Sequence, residues 1–240
     1  MPAGKLLLLP NVLEESLPEG PFLPASLVDA VSGLDGLIAE SERSARRYLC
    51  RFLSHEKMAA LPLRLLNEHT PPQEIGSLLT PIASGQAWGL LSDAGLPCIA
   101  DPGADLVAAA RQSGIGVEAV PGPCSLILAL QLSGFSGQRF SFHGYLPRDE
   151  EELQRAVQDL ERRAEEGTQI WIEAPYRSLK MFDFLKRRLH PTTLLCVAIN
   201  LTTLLERVES HPVQAWKSLP FSMGKEPAVF LISRIGVKRK

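Results

Sequence analysis

The sequence predicts an α/β protein built as two α/β halves, and three observations carry that expectation. Apolar runs of strand length alternate with longer helix-patterned segments, the signature of a largely parallel sheet covered on both faces. The alternation breaks at Ser133-Gly134-Phe135-Ser136-Gly137, a run of small and turn-forming residues. The 240 residues suffice for one large or two small domains. A boundary is therefore expected after Ser136, with an N-terminal domain over 1–136 and a C-terminal domain over 137–240.

In the first half, Lys5–Leu9 reads as a buried strand, Ala25–Val31 as a short helix, and Gly36–Ala39 as an apolar strand that stops at Glu40. Glu42–Leu53 reads as a helix with an arginine-rich face, and Leu63–Leu66 as a short strand. Pro71–Ser84 reads as a helix whose leading prolines sit where a missing N–H costs little. Ala87–Leu91 is a strand, Ala104–Ser113 a helix, Gly116–Val120 a strand and Cys124–Leu132 a strongly apolar helix. The second half opens on Arg139–Leu146, an alternating aromatic strand, followed by the charged surface helix Asp149–Glu165. Thr168–Glu173, Thr193–Ala198 and Ala228–Ser233 read as strands, Glu206–Val213 as a weaker one, and Arg177–Leu189 as an amphipathic helix. Several connections here are short, so this sheet is expected to be mixed.

Hydrophobic residues make up 45% of the chain and charged residues 22%, an ordinary globular balance that argues against disorder. A formal net charge of -2 excludes a protein that grips nucleic acid over its whole surface, while leaving room for local basic patches. Such clusters occur at Arg46-Arg47, Lys186-Arg187-Arg188 and Lys238-Arg239-Lys240; a solvated helix face or a chain terminus explains each as well. Cys50, Cys98, Cys124 and Cys196 form no C-x-x-C pair, so no metal site is expected, and scattered single thiols suit a reducing cytosol. The apolar Leu6–Leu9 ends at Pro10, too short for a secretion signal or a membrane span. The expectation is a soluble cytoplasmic protein with no membrane association.

In open α/β sheets ligands bind beyond the carboxyl ends of the strands. Four strand ends carry unusual loops: Ser92–Gly103, Pro121–Ser125, Glu40–Arg43 and Glu173–Arg177. In the first, Asp101 can cap the next helix with Pro102 in its first turn, or it can contact a ligand. Capping leaves Ser92-Asp93-Ala94-Gly95-Leu96-Pro97 unexplained, and Ala94 and Gly95 would let a ligand approach the main chain. Pro121-Gly122-Pro123-Cys124-Ser125 opens an apolar helix whose free N–H groups favour an anion; a plain N-cap at Ser125 is the alternative reading. Neither loop fits the G-x-G-x-x-G or P-loop patterns, and no G-x-S-x-G elbow occurs. The five histidines are dispersed, without metal-ligand spacing.

Ser92-Asp93-Ala94-Gly95-Leu96-Pro97, Ile99, Asp101-Pro102-Gly103 and Leu106-Val107 together follow the pattern SDAGxPxISDPGxxLV. This resembles the tetrapyrrole methylase superfamily, in its branch of small-subunit ribosomal RNA 2′-O-methyltransferases. Pro121–Ser125 is similar to that family's PGPSA, Ser133-Gly134-Phe135 to SGL, Phe140–Pro147 to FxFxGFLP, Glu173–Arg177 to ESPHR, and Ile38-Ala39-Glu40 with Arg43 to IAAEDTR. The resemblance implies two α/β domains with S-adenosylmethionine in the cleft between them, and a homodimer. It implies cofactor contacts from Pro10, Ser92, Asp93, Ala94, Gly95, Leu96, Ile99, Pro121, Gly122, Pro123, Cys124, Ser125, Glu173 and Ala174. Two segments depart from the pattern. PTPIGNLxD survives only as Pro10-Asn11-Val12-Leu13-Glu14, without its glycine, and the charged RELTK is here the neutral Ile199-Asn200-Leu201-Thr202-Thr203.

Methyl transfer from a sulfonium requires in-line positioning, and a hydroxyl acceptor must also lose its proton to a base. Asp93 and Glu40 are the candidate catalytic carboxylates. Arg43, Asp101, His143 and Arg177 are candidate substrate contacts, with Arg43 equally suited to a surface ion pair. Three functions remain open: a ribose methyltransferase acting on ribosomal RNA or the small subunit, with a basic rim from Arg43, Arg46 and Arg47; a methyltransferase for a small-molecule or protein acceptor; and a non-catalytic module that binds S-adenosylmethionine.

Overall fold

The structure, a computed structural model, describes residues 4–14 and 22–234, so the basic tail Lys238–Lys240 lies outside the described residues. The chain divides into two compact units, 1–124 and 125–240. The first contains β1 (Lys5–Leu9), α1 (Ser26–Ser32), β2 (Gly36–Ala39), α2 (Glu42–Leu49), α3 (His55–Ala60), β3 (Leu63–Leu65), α4 (Ile75–Ala83), β4 (Ala87–Leu91), α5 (Ala104–Gln112) and β5 (Gly116–Ala119). Its strands form one sheet in the order β3-β2-β4-β1-β5, with every pairing parallel.

Both faces of this sheet are covered, which is why its strands are apolar runs rather than alternating ones. Leu6 and Leu8 point into the cluster formed with Leu78, Ile82 and Leu106 of α4 and α5. Leu7 and Leu9 point the other way, into the cluster with Leu27 and Val31 of α1 and Ala45 and Tyr48 of α2. The period-two alternation of side chains thus splits four consecutive leucines between two cores. The strand order also places β1 beside β4 while their crossovers leave in opposite directions, β1 toward β2 and β4 toward β5. That is the topological switch point of an open parallel sheet, where the strand ends leave a crevice.

The second unit contains α6 (Ser125–Ser133), β6 (Phe140–Tyr145), α7 (Glu150–Arg163), β7 (Thr168–Glu173), α8 (Pro175–Arg188), β8 (Leu194–Ile199), β9 (Arg207–Pro212) and β10 (Ala228–Ser233). Its sheet runs β6-β7-β10-β8-β9 and is mixed: β6 and β7 are parallel, and the remaining pairs are antiparallel. Trp171 and Phe230 stack at 5.8 Å between ring centres in its core, with Phe184, Leu185 and Val197 in the same cluster.

The division falls between Cys124 and Ser125 rather than after Ser136. The apolar helix α6 packs on the second sheet, against β9 and β10, and the Ser210 hydroxyl donates to the Ser133 carbonyl at 2.8 Å. The Ser133–Gly137 break is the C-terminal end of that helix, with Gly134 at φ 73°, a conformation glycine adopts without penalty. Two further details differ from expectation. The helix after β2 stops at Leu49, short of Leu53. The short α3 buries no side chain, so no apolar periodicity marks it.

Where β2 crosses Trp88 of β4 there is no room for a side chain: a Cβ on Gly36 would stand 2.4 Å from the indole carbons. Gly36→Ala is expected to destabilise the protein by about 1–3 kcal/mol through overpacking. Gly76→Ala in the first turn of α4, with nothing within 4 Å, is expected to be neutral or to stabilise by up to about 1 kcal/mol. Urea denaturation of both variants checks the contrast, and an unaffected Gly36→Ala would overturn it.

Candidate functional site in the first unit

The loops that follow β1 and β4 meet at the switch point and are bound to each other. Asn11 N–H donates to the Gly95 carbonyl at 2.8 Å, and Gly95 N–H returns to the Val12 carbonyl at 3.3 Å. The Asn11 side chain, in a residue only 3% exposed, completes the join. Its Nδ2 donates to the carbonyls of Ser92 at 3.1 Å and Asp93 at 2.9 Å. Its Oδ1 accepts from Val12 N–H at 2.9 Å and from the Arg51 guanidinium at 3.1 Å. Asn11 is a positioning residue that sequence reasoning passed over. Its signal was there in the partial N-terminal motif: a polar amide directly after an apolar strand and Pro10.

The turn after β5 closes on the same place. A Cβ on Gly122 would stand 2.0 Å from Pro10 Cβ, and one on Gly95 would stand 3.6 Å from the Pro123 carbonyl oxygen. Pro10, Gly95, Gly122 and Pro123 are thereby brought together, with Cys124 at the end of the turn. The β4 loop itself is unusually wound. Gly95 and Gly103 have φ of 68° and 127°, but so do two residues with side chains, Cys98 at 68° and Ala100 at 67°. Left-handed non-glycine residues cost about 1–3 kcal/mol each and persist only where the surroundings over-determine them. Leu96 is half-buried, while Ala94 and Ile99 are exposed.

Asp101 does not cap α5. The residue at the cap position is Gly103, with no side-chain hydrogen bond, and the helix starts at Ala104, so Pro102 precedes its first turn. The φ of 127° at Gly103 explains why: the chain enters the helix from a conformation that the capping geometry expected for Asp101 does not use. The Asp101 carboxyl instead interacts with Ser92, Asp93 and Glu40. Burial and the Asp93 charge push its pKa up to about 6, against the pull of the Ser92 hydroxyl.

Glu40, at the end of β2, accepts from Asp93 N–H at 3.2 Å. Asp93 accepts from the Ser41 hydroxyl at 3.2 Å, and Ser41 in turn caps α2 by accepting from Ser44 N–H at 3.2 Å. Burial, then the Asp101 and Asp93 charges, raise the Glu40 pKa to about 7. Between the carboxyls lies Ser92, 1% exposed. Its hydroxyl is near enough to lower both pKa values, yet it completes no hydrogen bond of its own. A buried hydroxyl that completes no hydrogen bond, beside two easily protonated carboxyls, makes this polar cluster a candidate functional site. Arg43 is exposed nearby in sequence and makes no ion pair among the described residues, whereas Arg46 is held by Glu42.

In the second unit Glu173 ends β7, 2% exposed. Its Oε1 accepts from Ala174 N–H at 2.9 Å, and Arg177 lies 3.2 Å from Oε2. Burial raises its pKa, opposed by the Ala174 N–H and by Arg177 and Arg148. Arg177 also donates to the Pro147 carbonyl at 3.0 Å, so its guanidinium is committed within the unit. His143 is engaged as well, 2.8 Å from Gln169 Oε1. Ser125 begins α6. The neutral Asn200–Thr203 segment folds as a tight turn, with φ of 52° at Asn200 and 71° at Thr202, and Thr203 Oγ1 donating to the Asn200 carbonyl at 2.8 Å. Among the described residues no group of three or more His, Cys, Asp or Glu is placed to hold a metal, and no helix is long and apolar enough to cross a membrane.

Glu40 and Asp101 both have folded-state pKa values above the ordinary carboxyl range, so the folded chain retains protons that the unfolded chain has released. Their contribution to stability is full at low pH and is lost as pH rises to about 7. Glu40→Gln, which keeps an acceptor for Asp93 N–H, is expected to flatten the fall of melting temperature from about pH 4.5 to about pH 7. An unchanged slope in that variant counts against the buried-carboxyl account.

Comparison with known proteins places this geometry. Residues 28–215 match the family model of Tetrapyrrole (Corrin/Porphyrin) Methylases. The chain is 32% identical over 186 residues to Ribosomal RNA small subunit methyltransferase I of Escherichia coli O157:H7, covering 78% of this chain and 63% of that protein. It is 36% identical over 172 residues to the protein of the same name from Xylella fastidiosa, covering 72% and 60%. The chain thus spans about three fifths of the length of these curated relatives. Among solved structures, the methyltransferase CobJ superposes with a TM-score of 0.61 at 15% identity, covering 96% of this chain and 94% of that one. Uroporphyrin-III-C-methyltransferase from Thermus thermophilus superposes at 0.52 with 19% identity, covering 96% and 92%. The two five-stranded sheets are the fold these structures share, and the chain belongs to the tetrapyrrole (corrin/porphyrin) methylase family.

Proposed function

We propose that this protein is an S-adenosylmethionine-dependent methyltransferase whose acceptor is a ribose 2′-hydroxyl in small-subunit ribosomal RNA. The observation that carries it is the polar cluster after β4, where the unsatisfied Ser92 hydroxyl lies beside Glu40 and Asp101. These residues fit the cofactor chemically: carboxyls suit a cationic ligand with ribose hydroxyls, and the side-chain-poor Ala94-Gly95 main chain admits a flat ring. S-Adenosylmethionine, when bound, supplies a methyl group activated on a sulfonium. The residues that would hold it here are Pro10, the Ser92–Leu96 loop, Ile99 and the Pro121–Cys124 turn. The names of the curated relatives support small-subunit ribosomal RNA as the substrate.

Glu40 has the properties of a general base. Its pKa of about 7 lets it take a hydroxyl proton near neutral pH, where a base matched to the operating pH works best. The Asp93 N–H holds one of its oxygens in place. Arg43, exposed and without an ion-pair partner among the described residues, supplies a positive charge for an acceptor phosphate. One observation favours a second reading. The uncharged Asn200–Thr203 turn replaces a charged family segment, which suits an acceptor other than RNA.

Ribose-methylation mapping of ribosomal RNA from a strain lacking this chain is expected to show one lost small-subunit modification; an unchanged map favours the other acceptor. With the wild-type enzyme, kcat/KM is expected to rise with pH through about 7 and then level. Glu40→Gln is expected to lose about 10²–10⁴-fold in kcat, beyond any weakening of S-adenosylmethionine binding measured on the same variant. A full rate in Glu40→Gln removes it as the base.

A further inference from the structure

The outer face of α8 carries a feature that the polar cluster after β4 does not use. Tyr176, Lys180, Asp183 and Arg187 recur at helical spacing on this face, opposite the buried Met181, Phe184 and Leu185. With Leu179 and Lys225 they line a hollow of about 560 Å³. A second hollow shares Lys180 and Arg187 and adds Arg148. The side chains of Lys180, Arg187 and Lys225 are exposed and take part in no ion pair or hydrogen bond among the described residues. Two carboxylates on this face are already engaged, Asp183 with Lys186 at 2.9 Å and Glu226 with Gly224 N–H at 2.6 Å, while Glu150 lines the second hollow. Amid these charges Tyr176 is 67% exposed and Leu179 46% exposed. A chain with a net charge of -2 has thus gathered unpaired cations around an open aromatic ring.

The geometry points to a binding site for single-stranded RNA on this face of α8, with Lys180, Arg187 and Lys225 meeting successive phosphates and Tyr176 stacking an unpaired base. Lysine and arginine without protein partners are free to neutralise a phosphate chain. An exposed aromatic side chain gives an unpaired base a platform that a base inside a duplex cannot reach. An acidic peptide would use the cations and leave the ring idle. The site deepens the RNA-acceptor reading and rests on it for its biological sense, while its binding chemistry can be measured separately.

The test is fluorescence anisotropy of the full chain with a labelled uridine homopolymer, which has no duplex structure, over a range of salt concentrations. Three phosphate contacts predict a log–log salt slope of about −2. The triple variant Lys180→Ala/Arg187→Ala/Lys225→Ala is expected to abolish most of that slope. Tyr176→Ala is expected to weaken binding at least about fivefold while leaving the slope intact. All four side chains are exposed, and thermal melting confirms that the variants fold. Calorimetric titration with S-adenosylmethionine on the same samples separates the two ideas. Retained cofactor binding with no RNA affinity, or with RNA affinity unchanged in the variants, overturns the α8 site and leaves the methyltransferase standing. Absent cofactor binding overturns the methyltransferase, and the anisotropy still decides the α8 site. Equal binding to duplex RNA with no effect of Tyr176→Ala also overturns it.

Discussion

The pairing of Asn11 with the loop after β4 is the constraint on which the candidate site depends. One amide side chain and two main-chain hydrogen bonds hold the carbonyls of Ser92 and Asp93 and the backbone of Gly95 against the end of β1. Both strands are central in the sheet, so the loop is anchored to the most rigid part of the unit. Buried polar groups satisfied in this way specify one arrangement, because every alternative leaves a carbonyl or amide without a partner. The turn at Gly122 then lies against Pro10 at a distance that excludes any side chain.

That anchoring accounts for what the loop can sustain. Two residues with side chains, Cys98 and Ala100, sit in the left-handed region, and three acidic residues share one small volume. Each arrangement is unfavourable by itself. Together they keep Ser92 buried and unsatisfied and shift two carboxyls toward neutral pH, properties that suit ligand binding and proton transfer rather than stability. The Asp93, Ser41 and Ser44 relay ties this cluster to the start of α2, so the loop after β2 and the loop after β4 are held as one.

The second unit works differently. Its strands β7, β8 and β10 are buried almost throughout, around the stacked Trp171 and Phe230. Two residues that sequence motifs had marked as substrate contacts, His143 and Arg177, are committed to Gln169, Glu173 and the Pro147 carbonyl. Lys180 and Arg187 on the outer face of α8, with Lys225 beside them, have no partner among the described residues.

Sequence alone determined the alternation of strands and helices, because a strand covered on both faces must be apolar at every position and Leu6–Leu9 shows it. It also marked Ser92–Leu96 as a candidate ligand loop, since small residues in that number are not needed to start a helix. What only the tertiary structure decided depends on partners distant in the chain. α6 belongs with the second sheet because of what its apolar face meets there, and the Ser133–Gly137 break marks a helix end. Asp101 is turned toward Glu40 and Ser92, and not onto the helix that follows it, because the positive φ of Gly103 sets how the chain enters that helix. The near-neutral pKa of Glu40 arises from burial and from carboxyls far from it in sequence, and no local pattern encodes a long-range electrostatic environment.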